Sequence, residues 1–159
     1  MHIHCSDIRS RLQADLKASM KSKDTVTATT IRSVLAEVYA ADKTAKDGKV
    51  PSTTIFSLLR KAKTRRVDAA SRFKEASRSD LAEKEEHEAN LLDAFLPPLL
   101  SEADIDRVLK TIIPEQRAEG EDNKRAMGKV MKAFYSKVDR STVDPQLVTA
   151  RVGALLASS

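Results

Sequence analysis

Apolar residues recur at helical spacing along almost the whole chain, and no stretch alternates apolar with polar residues between turn signals as a half-buried strand would. The predicted class is therefore all-α. Ser6 precedes a first helix whose apolar residues Ile8, Leu12, Leu16 and Met20 recur every four positions, and the polar stretch Lys21 to Asp24 ends it. Ile31, Val34, Leu35 and Val38 share one face of a second helix, which stops before the Asp47-Gly48 turn. Pro51 suits the first position of a third helix of about 25 residues, whose apolar face runs through Ile55, Leu58, Leu59, Ala62, Ala69, Ala70 and Phe73. After the Ser77-Arg78-Ser79 break, Leu81, Leu91, Leu92 and Phe95 mark a fourth, glutamate-rich helix that ends at Pro97-Pro98.

That double proline divides the chain into an N-terminal four-helix subdomain, residues 1–96, and a C-terminal three-helix subdomain, residues 97–159. Ser101 and Asp104 have capping-box spacing and open a fifth helix, lined by Ile105, Val108, Leu109 and Ile112 until Pro114 halts it. Glu115 to Asp122, around Gly120, reads as an acidic loop. The sixth helix carries Met127, Val130, Met131, Phe134 and Val138 on one face. Asp144 and Pro145 are the N-cap and first residue of the last helix, in which Leu147, Val148, Val152 and Leu155 face inward.

Composition narrows the chemistry. The four glycines, Gly48, Gly120, Gly128 and Gly153, never come closer than eight positions, which excludes a P-loop, a dinucleotide fingerprint, a nucleophile elbow or a glycine-rich oxyanion loop. Cys5 is the only cysteine, so no internal disulfide or paired-cysteine zinc site can form, and a reducing compartment or the mitochondrial matrix fits. The longest apolar run, Phe95 to Leu100, is six residues and holds two prolines. A bilayer span needs roughly 18.

His2, His4 and Cys5 are good ligand types, but no further ligand stands near them in sequence, so no metal and no other cofactor are assigned. His87, among Glu83, Glu85, Glu86 and Glu88, reads either as a solvated surface histidine or as a base whose pKa the carboxylates raise. No catalytic residue is assigned, and the chain reads as a binder rather than a self-sufficient enzyme.

The net charge of +5 is unevenly spread. Arg60 to Arg78 carries +6 and Asp80 to Asp93 carries −5. Two readings are open: antiparallel helices that pair their charges, or a phosphate-binding stripe on the third helix that includes Arg65 and Arg66. Lys124 to Arg140 carries +5 with no acidic helix after it. There Arg125, Lys129 and Lys132 recur at i, i+4 and i+7, roughly opposite the core stripe, which suits a phosphate backbone as well as plain solvation. With six aromatic residues in all, a nucleic acid would be read by shape and phosphate position, as folded RNA is. Gly128, inside a helix, costs roughly 1 kcal/mol relative to alanine. Close helix packing or close approach of an RNA backbone would offset it.

Arg11 to Lys17 with Met20-Lys21, Ile31-Arg32, Ser79 to Lys84, Phe95-Leu96-Pro97 with Leu100-Ser101, and Met127-Gly128-Lys129-Val130-Met131 together resemble the YqeY-like (GatB/YqeY) family over nearly the whole chain. Fungal mitochondrial members, the altered inheritance of mitochondria proteins, are most similar around Val34 to Asp42. The resemblance implies two all-helical subdomains, the second similar to the tRNA-holding tail of the B subunit of glutamine-dependent aminoacyl-tRNA amidotransferase. The family's link to carbon–nitrogen ligase activity with glutamine as amide donor belongs to domains and subunits that this sequence does not contain. Similar modules are also fused to some glutaminyl-tRNA synthetases. Within the matching Met127 to Met131 motif, Lys129 is the residue best able to reach phosphate. Val138 to Val143 departs from the family, with Asp139-Arg140-Ser141-Thr142 where a glycine-containing turn is expected.

The expected function is tRNA binding, with an amidotransferase or synthetase as partner protein. Lys124, Arg125, Lys129 and Lys132 are the primary phosphate contacts, and Arg65 and Arg66 the secondary ones. The rival is a protein-interaction adaptor that presents the charged faces of the third and fourth helices and binds no RNA. The expected location is mitochondrial in a eukaryote and cytoplasmic otherwise. Asp7 and Asp15 stand so near the start that no arginine-rich, acid-poor presequence is legible.

Overall fold

In the computed structural model, which describes residues 7–158, the apolar stripes of the sequence fold as seven α-helices, and no strand is present among those residues. The chain divides into two compact units, Met1–Leu96 and Pro97–Ser159. Among the described residues no helix is long and apolar enough to cross a membrane.

In the first unit, α1 (Ile8–Lys21) begins at Asp7, whose carboxylate accepts the Arg9 N–H at 3.3 Å. Ser6, expected just before this helix, lies outside the described residues. Asp24 caps α2 (Thr25–Asp42) by accepting the Thr27 N–H at 3.0 Å. Helix α3 (Ser52–Glu75) starts one residue later than expected: Pro51 is its extended cap rather than its first helical residue, and its carbonyl accepts the Thr54 and Ile55 N–H groups. A turn through Ser77, at φ 58°, leads into α4 (Ser79–Asp93).

Ile8, Leu12, Ile31, Val34, Leu35, Val38, Ile55, Leu59, Leu92 and Phe95 form the core of this unit. Met20 was expected on the buried stripe of α1 but is 53% exposed at the end of that helix. The buried residues of α4 are Ala82, Glu88, Ala89 and Leu92, while Leu81 and Leu91 are half-buried. Ala62 and Ala70 are likewise buried on α3. Small side chains on both helices let their axes approach closely and leave the long charged side chains to the flanks.

Arg9 staples the unit. Its guanidinium donates to both oxygens of Asp42, at 2.7 and 2.9 Å, and to the Val50 carbonyl at 3.3 Å. Asp42 also accepts the Val50 N–H at 2.8 Å, which closes the α2–α3 connection. These bonds, the one from Arg9 foremost, hold the Asp42 carboxyl at about 2, below its ordinary 3.8.

In the second unit, Ser101 and Asp104 form the expected capping box at the start of α5 (Glu102–Gln116), with the Asp104 N–H donating to Ser101 Oγ at 3.2 Å. Pro114 does not halt α5: it lies inside the last turn, and the Arg117 N–H resumes the helical pattern by donating to the Ile113 carbonyl at 3.0 Å. So close to the end, a proline removes a single helical hydrogen bond. Helix α6 (Asn123–Lys137) follows, then a 3-10 turn at Arg140–Thr142, then α7 (Pro145–Ala157), capped by Asp144 on the Gln146 N–H at 2.8 Å. In the stretch where a glycine-containing turn was expected, Asp139 accepts the Ser141 N–H at 2.7 Å and starts the 3-10 turn without one. Ile105, Leu109, Ile112, Val130, Phe134, Val143, Val148, Val152 and Leu156 make the core. Arg151 of α7 binds Asp106 of α5 through two nitrogens, at 2.8 and 2.5 Å.

Candidate nucleic-acid interface

Helix α6 turns Ala126, Val130 and Phe134 into its core and half-buries Met127 and Met131. Its outer surface therefore carries two adjacent rows at four-residue spacing. One is Lys124, Gly128 and Lys132; the other is Arg125, Lys129 and Ala133. Lys124, Arg125, Lys129 and Lys132, the four expected phosphate contacts, are all exposed, but the rows differ in electrostatics.

The second row borders the acidic loop. Glu121, whose side chain is only 10% exposed, binds Lys129 Nζ at 2.7 Å and accepts the Ala118 N–H at 3.1 Å. Those two bonds, with Arg125 adding its field, hold the Glu121 carboxyl below the ordinary range. Lys129, the residue singled out within the family motif, thus already has an anion of this chain. In the first row, neither Lys124 nor Lys132 has an ion-pair or hydrogen-bond partner among the described residues.

Beyond the rows, the Arg140 guanidinium stacks 4.3 Å over the Tyr135 ring, which meets Phe134 edge-on at 5.4 Å. Burial pushes the Tyr135 phenol above its ordinary pKa, and Arg140 partly opposes it. Sequence reasoning passed over both Glu121 and this stack. The only signal for the first was a glutamate eight residues before a lysine, across a loop of unknown path.

On α3 four of the cations are paired within the first unit, while Lys61 and Arg72 are exposed. Lys63 binds Asp93 at 2.6 Å, Arg66 binds Glu85 at 3.4 Å and also Glu88, and Lys74 binds Glu86. From Lys63–Asp93 through Arg66–Glu88 to Lys74–Glu86 the residue numbers rise on α3 as they fall on α4, the antiparallel charge-paired arrangement. Arg65 turns instead to Glu37 of α2. The two residues expected as secondary contacts are therefore both neutralised within the first unit, and Arg66 is only 21% exposed.

His87 lies on the exposed side of α4. Among the described residues no group of three or more His, Cys, Asp or Glu side chains could hold a metal ion. His2, His4 and Cys5 lie outside the described residues.

The family model of the Yqey-like protein matches residues 9–156, through both units. The chain belongs to the YqeY-like family. Among curated members, the Altered inheritance of mitochondria protein 41, mitochondrial, of Pyrenophora tritici-repentis is 35% identical over 148 residues, 89% of this chain and 77% of that protein. The protein of the same name from Vanderwaltozyma polyspora is 35% identical over 135 residues, covering 83% and 69%. In Saccharomyces cerevisiae strain YJM789 the identity is 27% over 124 residues, covering 77% and 67%. All three family members are mitochondrial by name, in keeping with a mitochondrial location for this chain.

Proposed function

We propose that this chain is a mitochondrial tRNA-binding protein associated with aminoacyl-tRNA amidotransfer, with no catalytic centre of its own. One observation carries the reading: Lys124 and Lys132 are exposed and make no ion pair among the described residues, on a helix whose opposite face is locked into a core. Ammonium groups without an internal partner keep their full attraction for phosphate, and a rigid helix fixes their spacing before binding. The resemblance of the second unit to the amidotransferase tail supplies the partner class.

In this reading Lys124, Lys132 and Arg125 contact phosphate directly, and Lys129 joins them on exchanging Glu121 for the ligand. Arg65 and Arg66 keep their internal carboxylates. The test is fluorescence anisotropy of a labelled tRNA against the full chain across a salt series. Micromolar or tighter binding at low salt is expected, with a linear log–log salt dependence whose slope falls by about 2 in the Lys124→Glu, Lys132→Glu double variant. Absence of binding at low salt overturns the reading in favour of a protein-interaction adaptor.

A further inference from the structure

Two of the four glycines, Gly48 and Gly120, have a conformational reason within the chain. They sit at φ 69° and 77°, a conformation that side chains disfavour. Gly153 is half-buried where α7 packs on α6, and an added Cβ would make an ordinary van der Waals contact there, 3.6 Å from Met127 Cε. Gly128 differs from all three in having neither a positive φ nor a neighbour to pack against. It is the sixth residue of α6, exposed, and a Cβ built on it meets nothing within 4 Å beyond its own helical turn. Neither backbone conformation nor packing among the described residues calls for glycine there, in the position where glycine weakens a helix most.

Its neighbours along the row are Lys124, four residues before, and Lys132, four residues after. Their α-carbons are separated by about 12 Å of helix rise, with the bare backbone of Gly128 midway. Two unpartnered ammonium groups and a gap between them form a shallow saddle with cationic rims. Such a surface is complementary in shape and sign to a strand that is narrow and anionic. We propose that a ribose-phosphate backbone crosses α6 at Gly128, lying against the helix itself while Lys124 and Lys132 bind phosphates on either side. This rests on the RNA-binding reading and adds to it the contact point and the part of the RNA that is held.

The test is Gly128→Ala, which removes no charge. The proposal expects a thermal midpoint a few degrees above wild type, because alanine is the better helix former, together with about tenfold weaker binding of a labelled tRNA. The salt slope stays unchanged, since no phosphate contact is lost by charge. Gly128→Gln, with a longer side chain, weakens binding further. If Gly128→Ala is more stable and binds tRNA as wild type does, the proposal is overturned, while the lysine variants still decide the RNA reading. A lower midpoint for Gly128→Ala reveals an internal role for the glycine and also overturns it. If wild type binds no tRNA at low salt, the RNA reading fails and this proposal fails with it.

Discussion

Helix α3 and helix α6 are both basic, the segments Arg60 to Arg78 and Lys124 to Arg140 carrying +6 and +5, yet they differ in how much of that charge the fold pairs. On α3, Lys63, Arg66 and Lys74 each face a carboxylate of α4, and Arg65 faces Glu37. On α6, among the described residues, only Lys129, held by Glu121, and Lys137, 3.7 Å from Glu115, are paired with a carboxylate. Net charge along a sequence is thus a poor guide to a binding surface, because the neighbouring element decides how much of that charge remains available. An ammonium beside its own carboxylate offers an incoming phosphate an exchange of partners; an unpaired one offers a new contact.

The comparison is broken most sharply by changing cations on each helix and reading both stability and binding. Lys124→Glu with Lys132→Glu should lower tRNA affinity on the order of 100-fold at low salt and move the unfolding free energy by less than about 0.5 kcal/mol, as exposed surface changes do. Arg66→Ala should do the reverse. It strands Glu88, which is 9% exposed, and the expected loss of stability is on the order of 1–3 kcal/mol by urea unfolding, with tRNA affinity retained by the folded fraction. A large binding loss from Arg66→Ala with stability intact would make α3 the interface and remove the distinction.

Most of the fold was legible because its signals are local. Ser101 with Asp104, Asp144 with Pro145, and the i, i+4, i+7 recurrence of Ile31, Leu35 and Val38 each act within one or two helical turns. Misreadings arose where the deciding contact is distant or the residue small. Ala82 and Ala89 carry the buried face of α4, and alanine is too weakly apolar to stand out among glutamates. Pro114 was read as a stop, although a proline in a last turn costs α5 one bond. At the candidate interface, the basic character of α6 and its face were plain from spacing. That Glu121 would fold back onto Lys129, and that nothing would cover Gly128, depend on the path of a loop and the position of a neighbouring helix.

The first unit also uses an ion pair at the α2–α3 connection, which makes it acid-sensitive in a defined way. Asp42 has its folded pKa depressed to about 2 from 3.8. Its stabilisation is therefore complete above 3.8 and is lost as pH falls through that window, because the unfolded chain takes up the proton first. Thermal midpoints measured across that window should fall for wild type and flatten in Asp42→Asn, which has already lost the charge. An equal decline in both would assign acid sensitivity to other carboxylates.

The smallest expected effect isolates Lys129, the α6 cation held closest by a carboxylate, as the paired cations of α3 are. Glu121→Gln keeps an oxygen to accept the Ala118 N–H, so the loop retains its closing bond, but it removes the charge that holds Lys129. Lys129 then meets phosphate without first giving up a carboxylate, and tRNA affinity should rise roughly twofold to fivefold, the worth of one exposed ion pair. Glu119→Gln removes the same charge from the same loop at an exposed position away from that pair. If the two substitutions raise affinity equally, only the overall field matters and Lys129 is no more reserved than its neighbours. If Glu121→Gln alone raises it, with a salt slope steeper by nearly 1, Lys129 is a phosphate contact that the fold keeps partly occupied, and the contrast between the two basic helices extends to single residues.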